Sequence, residues 1–244
     1  MKVRLDQLLV QRGLAASREK AQRLLLAGVV RMNGAVAGKP GHTVPDDPDL
    51  VLTVEAAERF VGRGGLKLEK AFETYGLDVA GRTCLDVGAS TGGFTDCLLQ
   101  HGASRVYAVD VGRGQLDWRL RSDPRVVVRE GVNARYLQPG DLPEPVSFCV
   151  VDVSFISLTK ILPAVTPLME PGDLVTLIKP QFEAGAKQVG KGGVVRDPAV
   201  REQVVAEIRD FGGRLPGLAW QAFCESPIKG PAGNVEFLAW WKRL

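Results

Sequence analysis

The sequence predicts an α/β protein: an open, mostly parallel sheet covered by helices on both faces, preceded by a small α+β module. Three observations predict it. From Thr83 onward, short apolar runs of strand character alternate with amphipathic stretches of helical length, the pattern of consecutive βαβ units. The first of those strands runs straight into a glycine-rich turn that opens a helix, Cys84-Leu85-Asp86-Val87-Gly88-Ala89-Ser90-Thr91-Gly92-Gly93-Phe94. The charge is also unevenly spread. A net +3 conceals +6 in residues 1–44, where eight Lys/Arg face two acids, and −3 in the remainder. A small cationic module is therefore joined to a mildly acidic body, as expected if the module meets a polyanion.

At 244 residues the chain suits one large domain or a moderate one with an appendage. No window approaches ~18 uninterrupted apolar residues, so no membrane span is expected. The start, Met1-Lys2-Val3-Arg4-Leu5-Asp6, lacks a secretory apolar core, and a cytoplasmic protein is expected. Cysteines 84, 97, 149 and 224 lie in apolar contexts without Cys-x-x-Cys spacing, beside only two histidines. Reduced, buried thiols and no metal site are expected.

In chain order, Leu5, Leu8 and Leu9 give a helix over 4–12, which Gly13 ends. Ser17 is placed to cap a second helix over 17–27, with Ala21, Leu24 and Leu25 as its apolar stripe. Val29 to Met32 reads as a strand entering an Asn33-Gly34 hairpin turn, and 51–54 as a later strand after a Pro/Asp-rich loop at 45–49. Residues 1–56 form this module, and the glycines and charges of 57–65 read as a linker. The second domain, 66–244, opens on a helix whose buried stripe is Leu68, Ala71, Phe72 and Tyr75, with Gly76 as its stop. Lys67 lies off that stripe. Strands are expected at 83–87, 105–110, 126–129, 147–152, 174–179, 219–224 and 235–241. Helices fall near 93–101, 114–121, 157–169 and 198–212. The glycine-flanked segment 191–196 suggests a mobile loop, and Trp220, Trp240 and Trp241 suggest packing residues.

Ligands of such sheets bind at the carboxyl ends of the strands. The glycine turn lets a ligand approach the backbone, and the helix behind it offers free N–H groups. Its spacing, Gly-x-x-x-Gly-Gly, differs from the dinucleotide Gly-x-Gly-x-x-Gly. Asp86 precedes it, where a carboxylate would repel a pyrophosphate and attract a cation. Asp110, 22 residues after Gly88, is placed to accept from both hydroxyls of a ribose. A carboxylate-lined site with a ribose clamp suits S-adenosylmethionine, which carries an amino group and a sulfonium but no phosphate. Its candidate ligands are Asp86, Gly88, Ser90, Thr91, Gly92, Gly93, Phe94, Asp110, Asn133 and Asp152.

The methyl acceptor is read from the later strand ends. No Asn/Asp-Pro-Pro-aromatic run of amino-group methyltransferases follows 147–152, and Cys149 faces an expected core rather than a site. What remains is Asp152 and Lys179 at one cleft, with Lys67 upstream and Glu236 on the last strand. Such a set suits a ribose 2′-hydroxyl, which must lose its proton as it attacks. Two lysines held close together disfavour double protonation, which would free one as a base; if both stay charged they stabilise the developing alkoxide.

Two resemblances are carried by these residues. Arg4-Leu5-Asp6-Gln7-Leu8-Leu9-Val10, Ser17-Arg18-Glu19-Lys20-Ala21 and Gly28-Val29-Val30-x-x-Asn33-Gly34 resemble the S4 RNA-binding domain. That implies RNA phosphates for Arg4, Arg18, Lys20 and Arg23. Gly62-Arg63-Gly64-Gly65-Leu66-Lys67-Leu68, the glycine loop, Asp152-Val153-Ser154-Phe155-Ile156-Ser157-Leu158, Lys179-Pro180-Gln181-Phe182-Glu183 and Ser226-Pro227-Ile228-x-Gly230-x-x-Gly233-Asn234-x-Glu236 resemble the TlyA family over essentially the whole chain. The resemblance implies a Rossmann-like class I methyltransferase sheet related to the FtsJ ribose methyltransferases. It also implies ribosomal RNA as substrate, methylated on a cytidine 2′-oxygen, and Lys67, Asp152, Lys179 and Glu236 as catalytic tetrad. Phe60 and Gly62 depart from the family's Tyr and Ser. The short ends resemble a subtype tied to large-subunit RNA. Two other classes compete: a nicotinamide oxidoreductase, opposed by Asp86 and the loop spacing, and a membrane-active protein, suggested by the family's haemolysin label.

Overall fold

The computed structural model describes residues 2–26, 28–54, 59–186 and 188–244, with only the backbone of Pro231. The chain divides into two compact units, Met1–Arg59 and Phe60–Leu244. The expected boundary at 56/57 lies outside the described residues. Residues 60–65, expected in a linker, belong to the second unit. Phe60 is buried, and the Val61 N–H donates to Asp96 at 2.8 Å.

The first unit contains β1 (Lys2–Arg4), α1 (Leu5–Gln11), α2 (Arg18–Leu26), β2 (Val30–Met32), β3 (Ala35–Val36), β4 (Thr43–Pro45) and β5 (Leu52–Val54). Leu5, Leu8 and Leu9 occupy one face of α1 and pack on Ala21 and Leu25 of α2 and on Val30, Val44 and Leu52 of the strands. Ser17 Oγ accepts from the Lys20 N–H and caps α2 as expected. Asn33 and Gly34 both take positive φ, 49° and 83°, and join β2 to β3 in the twist-compatible hairpin turn. The strands β1 and β4, which pair antiparallel, have no counterpart in the sequence pattern. Three residues in polar surroundings carry no readable alternation.

The centre of this unit is a carboxylate. Asp6 has no exposed surface and accepts from Arg4 Nε and Nη2 (3.1 and 2.9 Å), Arg18 Nε (3.1 Å) and Gln22 Nε2 (2.9 Å). Arg4 foremost holds the Asp6 carboxyl well below the usual carboxylate range. Arg12 donates to the carbonyls of Leu50 and Asp47 and fastens the 45–50 loop.

The second unit runs α3 (Gly64–Tyr75), β6 (Thr83–Val87), α4 (Gly93–Gln100), β7 (Arg105–Asp110), α5 (Trp118–Arg121), β8 (Val126–Glu130), β9 (Val146–Val151), α6 (Leu158–Val165), β10 (Met169–Ile178), α7 (Pro180–Glu183), α8 (Pro198–Gly212), β11 (Leu218–Glu225) and β12 (Phe237–Arg243). One seven-stranded sheet has the order β11-β12-β10-β9-β6-β7-β8. The pairs β8–β7–β6–β9–β10 are parallel, whereas β12 runs antiparallel to both β10 and β11. Two apolar clusters cover its faces. One holds Leu85, Val151, Ile161, Leu174 and Trp241; the other holds Leu68, Phe72, Leu98, Phe148 and Leu238. Trp241 is buried and Trp240 stacks on Tyr75, so these indoles pack as expected.

The strands at 83–87 and 105–110 match their expected limits, but β10 starts at Met169, five residues before the expected 174. Glu170-Pro171-Gly172 interrupts the apolar run there, and the register with β9 shifts between Met169 and Asp173. The helix expected over 114–121 shrinks to α5, capped by Asp117, whose side chain accepts from the Arg119 N–H.

The sheet order reverses between β6 and β9, so neighbouring connections depart in opposite directions and leave a crevice at the strand ends. Gly88, Asp110, Asp152 and Lys179 all lie at the carboxyl ends of β6, β7, β9 and β10. Because β12 is reversed, its amino end reaches the same rim. Ile178 pairs with Phe237, which sets Lys179 beside Glu236.

Asp6→Ala should leave Arg4, Arg18 and Gln22 without their common acceptor. Amide hydrogen exchange in α1 and α2 of the full chain should accelerate by about tenfold, with exchange in Phe60–Leu244 unchanged.

Candidate active site

The glycine loop is shaped by close approach to the neighbouring strand end. Gly88 has φ +88°, and a Cβ there would strike the Asp152 carbonyl oxygen. The N–H groups of Gly88 and Ala89 both reach the Val109 carbonyl (2.8 and 3.2 Å). Ser90 takes φ 50°, unusual for a residue with a side chain, and its N–H donates to Asp110 Oδ2 at 2.8 Å. The other Asp110 oxygen accepts from the Gly112 N–H at 2.7 Å. The carboxylate is thereby fixed with lone pairs left over.

Two cavities flank the loop. One, of about 380 Å³, is bounded by Gly88, Ser90, Asp110 and Asn133, by the apolar Val109, Val132, Ile156 and Ile161, and by Phe155. The other, of about 300 Å³, is bounded by Gly88, Ser90, Thr91, Gly93 and Phe94, and by the cations Arg63, Lys67 and Lys229. Asp152 lines both.

Two lysine–carboxylate pairs lie beside these cavities, one through Asp152 and the other through Lys67, which bounds the second cavity. Lys179 Nζ is 2.5 Å from Asp152 Oδ1 and donates to Ser154 Oγ at 2.9 Å. Lys67 Nζ donates to Glu236 Oε2 at 2.6 Å, and Gln181 Nε2 donates to Glu236 Oε1 at 3.2 Å. Glu236 has no exposed surface. A Cβ on Gly230 would collide with its carboxylate, so the loop before β12 closes over the pair. Lys67, read from the sequence as lying off the buried stripe of α3, is itself buried because this partner draws it inward.

The structure thus gathers Lys67, Asp152, Lys179 and Glu236, and sets Gly88, Ser90, Thr91, Gly93, Phe94, Asp110 and Asn133 around the cavities. Gly92 and Asp86 line neither cavity. Asp86 lies beneath the loop without exposed surface; its Oδ2 accepts from Thr95 Oγ1 at 2.6 Å, and its Oδ1 has no hydrogen-bond partner among the described residues. Burial raises its pKa to about 7, opposed by the Thr95 hydroxyl and aided by the Asp152 charge. Asp86 therefore anchors the start of α4 rather than facing a ligand directly. Cys149 is buried in the core, and burial pushes its thiol far from a reactive thiolate.

In the first unit, Arg4 and Arg18 turn part of their guanidinium edges to Asp6 while their side chains stay 39% and 51% exposed. Lys20 and Arg23 stand exposed on α2. In the 191–196 loop, Asn234 Oδ1 accepts from the Val195 N–H (3.0 Å) and its Nδ2 donates to the Gly193 carbonyl (2.9 Å).

Sequence reasoning assigns no role to Arg63, Ser154, Phe155, Gln181, Phe182 or Lys229. Phe155 is the clearest omission. It is 91% exposed at φ 63°, with its ring 5.0 Å from Phe182, over which Lys179 Nζ sits at 6.0 Å. The signal available was an aromatic residue directly after a strand-end Asp-x-Ser, where no core needs one.

A seven-stranded sheet with one reversed strand, a glycine loop after its central strand and a carboxylate ending the next define a methyltransferase. The FtsJ-like methyltransferase family matches residues 60–243, and the S4 domain matches residues 3–47. The chain belongs to the TlyA family within that class. It is 50% identical over 240 residues to a Bacillus subtilis protein provisionally named rRNA methyltransferase YqxC, covering 97% of this chain and 84% of the relative. It is 48% identical over 242 residues to the Mycobacterium tuberculosis 16S/23S rRNA (cytidine-2′-O)-methyltransferase TlyA, covering 98% and 89%. A solved Streptococcus thermophilus structure, provisionally named a hemolysin, matches with TM-score 0.74 and 44% identity over 99% of this chain and 88% of that one.

The buried Asp86 makes stability depend on pH. Its folded pKa lies above the ordinary unfolded value, so the folded state binds the proton more tightly and gains stability at low pH, a gain lost as pH rises through about 7. Asp86→Asn should therefore lose less melting temperature than the parent between about pH 5 and about pH 8, measured by differential scanning fluorimetry.

Proposed function

We propose that this chain transfers a methyl group from S-adenosylmethionine to the 2′-hydroxyl of a cytidine in ribosomal RNA, with large-subunit RNA as its first substrate. The observation that carries this reading is Asp152, which lines both cavities and is ion-paired to Lys179 at their shared edge. The names of the B. subtilis and M. tuberculosis relatives support RNA as substrate, and the latter, which names both 16S and 23S RNA, supports the cytidine 2′-oxygen.

The residues present fit the cofactor. Asp110 would accept from the ribose hydroxyls, and the apolar slot of Val109, Val132, Ile156 and Ile161, with Asn133 beside it, would hold the adenine. Arg63 and Lys229 would hold the amino-acid carboxylate in the cationic cavity. Bound there, S-adenosylmethionine supplies an electrophilic methyl group on a sulfonium. Lys179 Nζ, steadied by Asp152 and Ser154, faces the negative charge that grows on the 2′-oxygen. The hydroxyl proton passes to the Asp152 carboxylate, directly or through Lys179. Lys67 and Glu236, joined through Gln181 to the segment after Lys179, hold this geometry. Phe155 and Phe182 offer aromatic faces to a base turned out of its stack, since a ribose inside a helix would not reach the edge. Arg4, Arg18, Lys20 and Arg23 of the S4 domain grip RNA phosphates and position the substrate without reading its sequence. The enzyme acts in the cytoplasm.

The test is methyl transfer from labelled S-adenosylmethionine to separate small and large ribosomal subunits that lack the modification, followed by nucleoside analysis. We expect 2′-O-methylcytidine from the large subunit; a base-methylated nucleoside, or no transfer to either subunit, would sink the assignment. Lys179→Ala should bring transfer below detection while changing cofactor affinity by no more than about twofold, since Lys179 lines neither cavity and acts on charge that grows only in the transition state. Asp110→Ala should weaken cofactor binding by about tenfold or more, read by isothermal titration calorimetry.

A further inference from the structure

A groove of about 390 Å³ lies on the second unit, and no step described so far uses it. One wall is the turn of 3-10 helix Ala134–Tyr136 with the residues after it, and the other is the outer face of α6 around Thr159 and Lys160. The two walls pack on each other. Ala134 and Ile161, the next positions in sequence on the same two walls, line the cofactor cavity.

Its lining carries two cations, Arg135 and Lys160, and no carboxylate. Both are exposed. Tyr136, next to Arg135, is 67% exposed, with the Arg135 guanidinium carbon over its ring, 5.8 Å from the ring centre. A tyrosine so placed packs little in the free protein, and the guanidinium over it leaves most of its surface in solvent. Cations beside an exposed aromatic ring are the chemistry of single-stranded nucleic acid binding, in which phosphates meet the charges and a base stacks on the ring. A duplex would keep its bases stacked away from such a face.

We propose that this groove seats the unpaired RNA adjoining the methylated nucleotide, with one base on Tyr136 and neighbouring phosphates on Arg135 and Lys160. The proposal rests on the RNA reading above. It adds that the substrate is single-stranded on at least one side of its target.

The test is binding of RNA extracted from unmodified large subunits to the full-length protein across a salt series, with methyl transfer measured separately. Replacing both Arg135 and Lys160 with Ala should weaken binding and lower the salt slope by about 1.4, ~0.7 for each single-strand phosphate no longer neutralised. Tyr136→Ala should weaken binding by at least about fivefold, while Tyr136→Phe restores it. S-adenosylmethionine affinity should be retained in all three, which shows that the variants fold. Unchanged RNA affinity and slope in the double variant would overturn the proposal. So would weakened binding to whole subunits alone, with extracted RNA bound normally, since the groove would then meet a ribosomal protein. Groove-dependent RNA binding without ribose methylation would instead overturn the functional reading and leave the groove standing.

Discussion

The ion pair between Lys67 and Glu236 joins the two ends of the larger unit's chain at its reactive rim, and the remaining geometry depends on it. Glu236 precedes β12 and Lys67 sits in the first turn of α3, 169 positions apart. Such a pair is costly to remove from water, and loss of one partner leaves an uncompensated buried charge. It is retained because the carboxylate also receives Gln181, two residues beyond Lys179. A single acceptor thus references three segments to one point. The reversal of β12 makes this possible, since a parallel strand would have carried Glu236 to the opposite edge of the sheet.

The alternation from Thr83 onward made the sheet readable, because buried parallel strands are continuous apolar runs and their helices carry one apolar stripe. The direction of β12 was not readable, because periodicity is the same in either direction. That is why the sequence places Glu236 on the last strand without a reason for its meeting Lys179. Lys67 could not be recognised as buried from its helix alone, because its partner lies at the far end of the sequence. Asp86 is the converse case. Its position before the glycines suggested a ligand contact, whereas its carboxylate turns beneath the loop to Thr95. Sequence spacing gives proximity to a site, but not which side of the backbone a side chain takes.

The S4 domain divides its arginines between structure and surface. Arg4 and Arg18 converge from two elements on buried Asp6, yet each guanidinium keeps an outward edge. A planar fork with five donors permits this division, whereas an ammonium would have to choose. Replacing either arginine with lysine would keep the charge and lose the shared orientation.

Phe155 sets fold stability against function. A side chain at φ 63° carries a backbone cost of about 1–3 kcal/mol, and its ring recovers little of it in the free protein, where it is 91% exposed. Glycine or asparagine at this position would relieve the strain and remove an apolar group from water. A laboratory selection for heat resistance would therefore favour those replacements, and the survivors would be robust proteins stripped of the aromatic face beside Lys179. On the proposed reading of the site, thermostability and turnover pull this one position in opposite directions, so engineering for the first needs Phe155 held fixed.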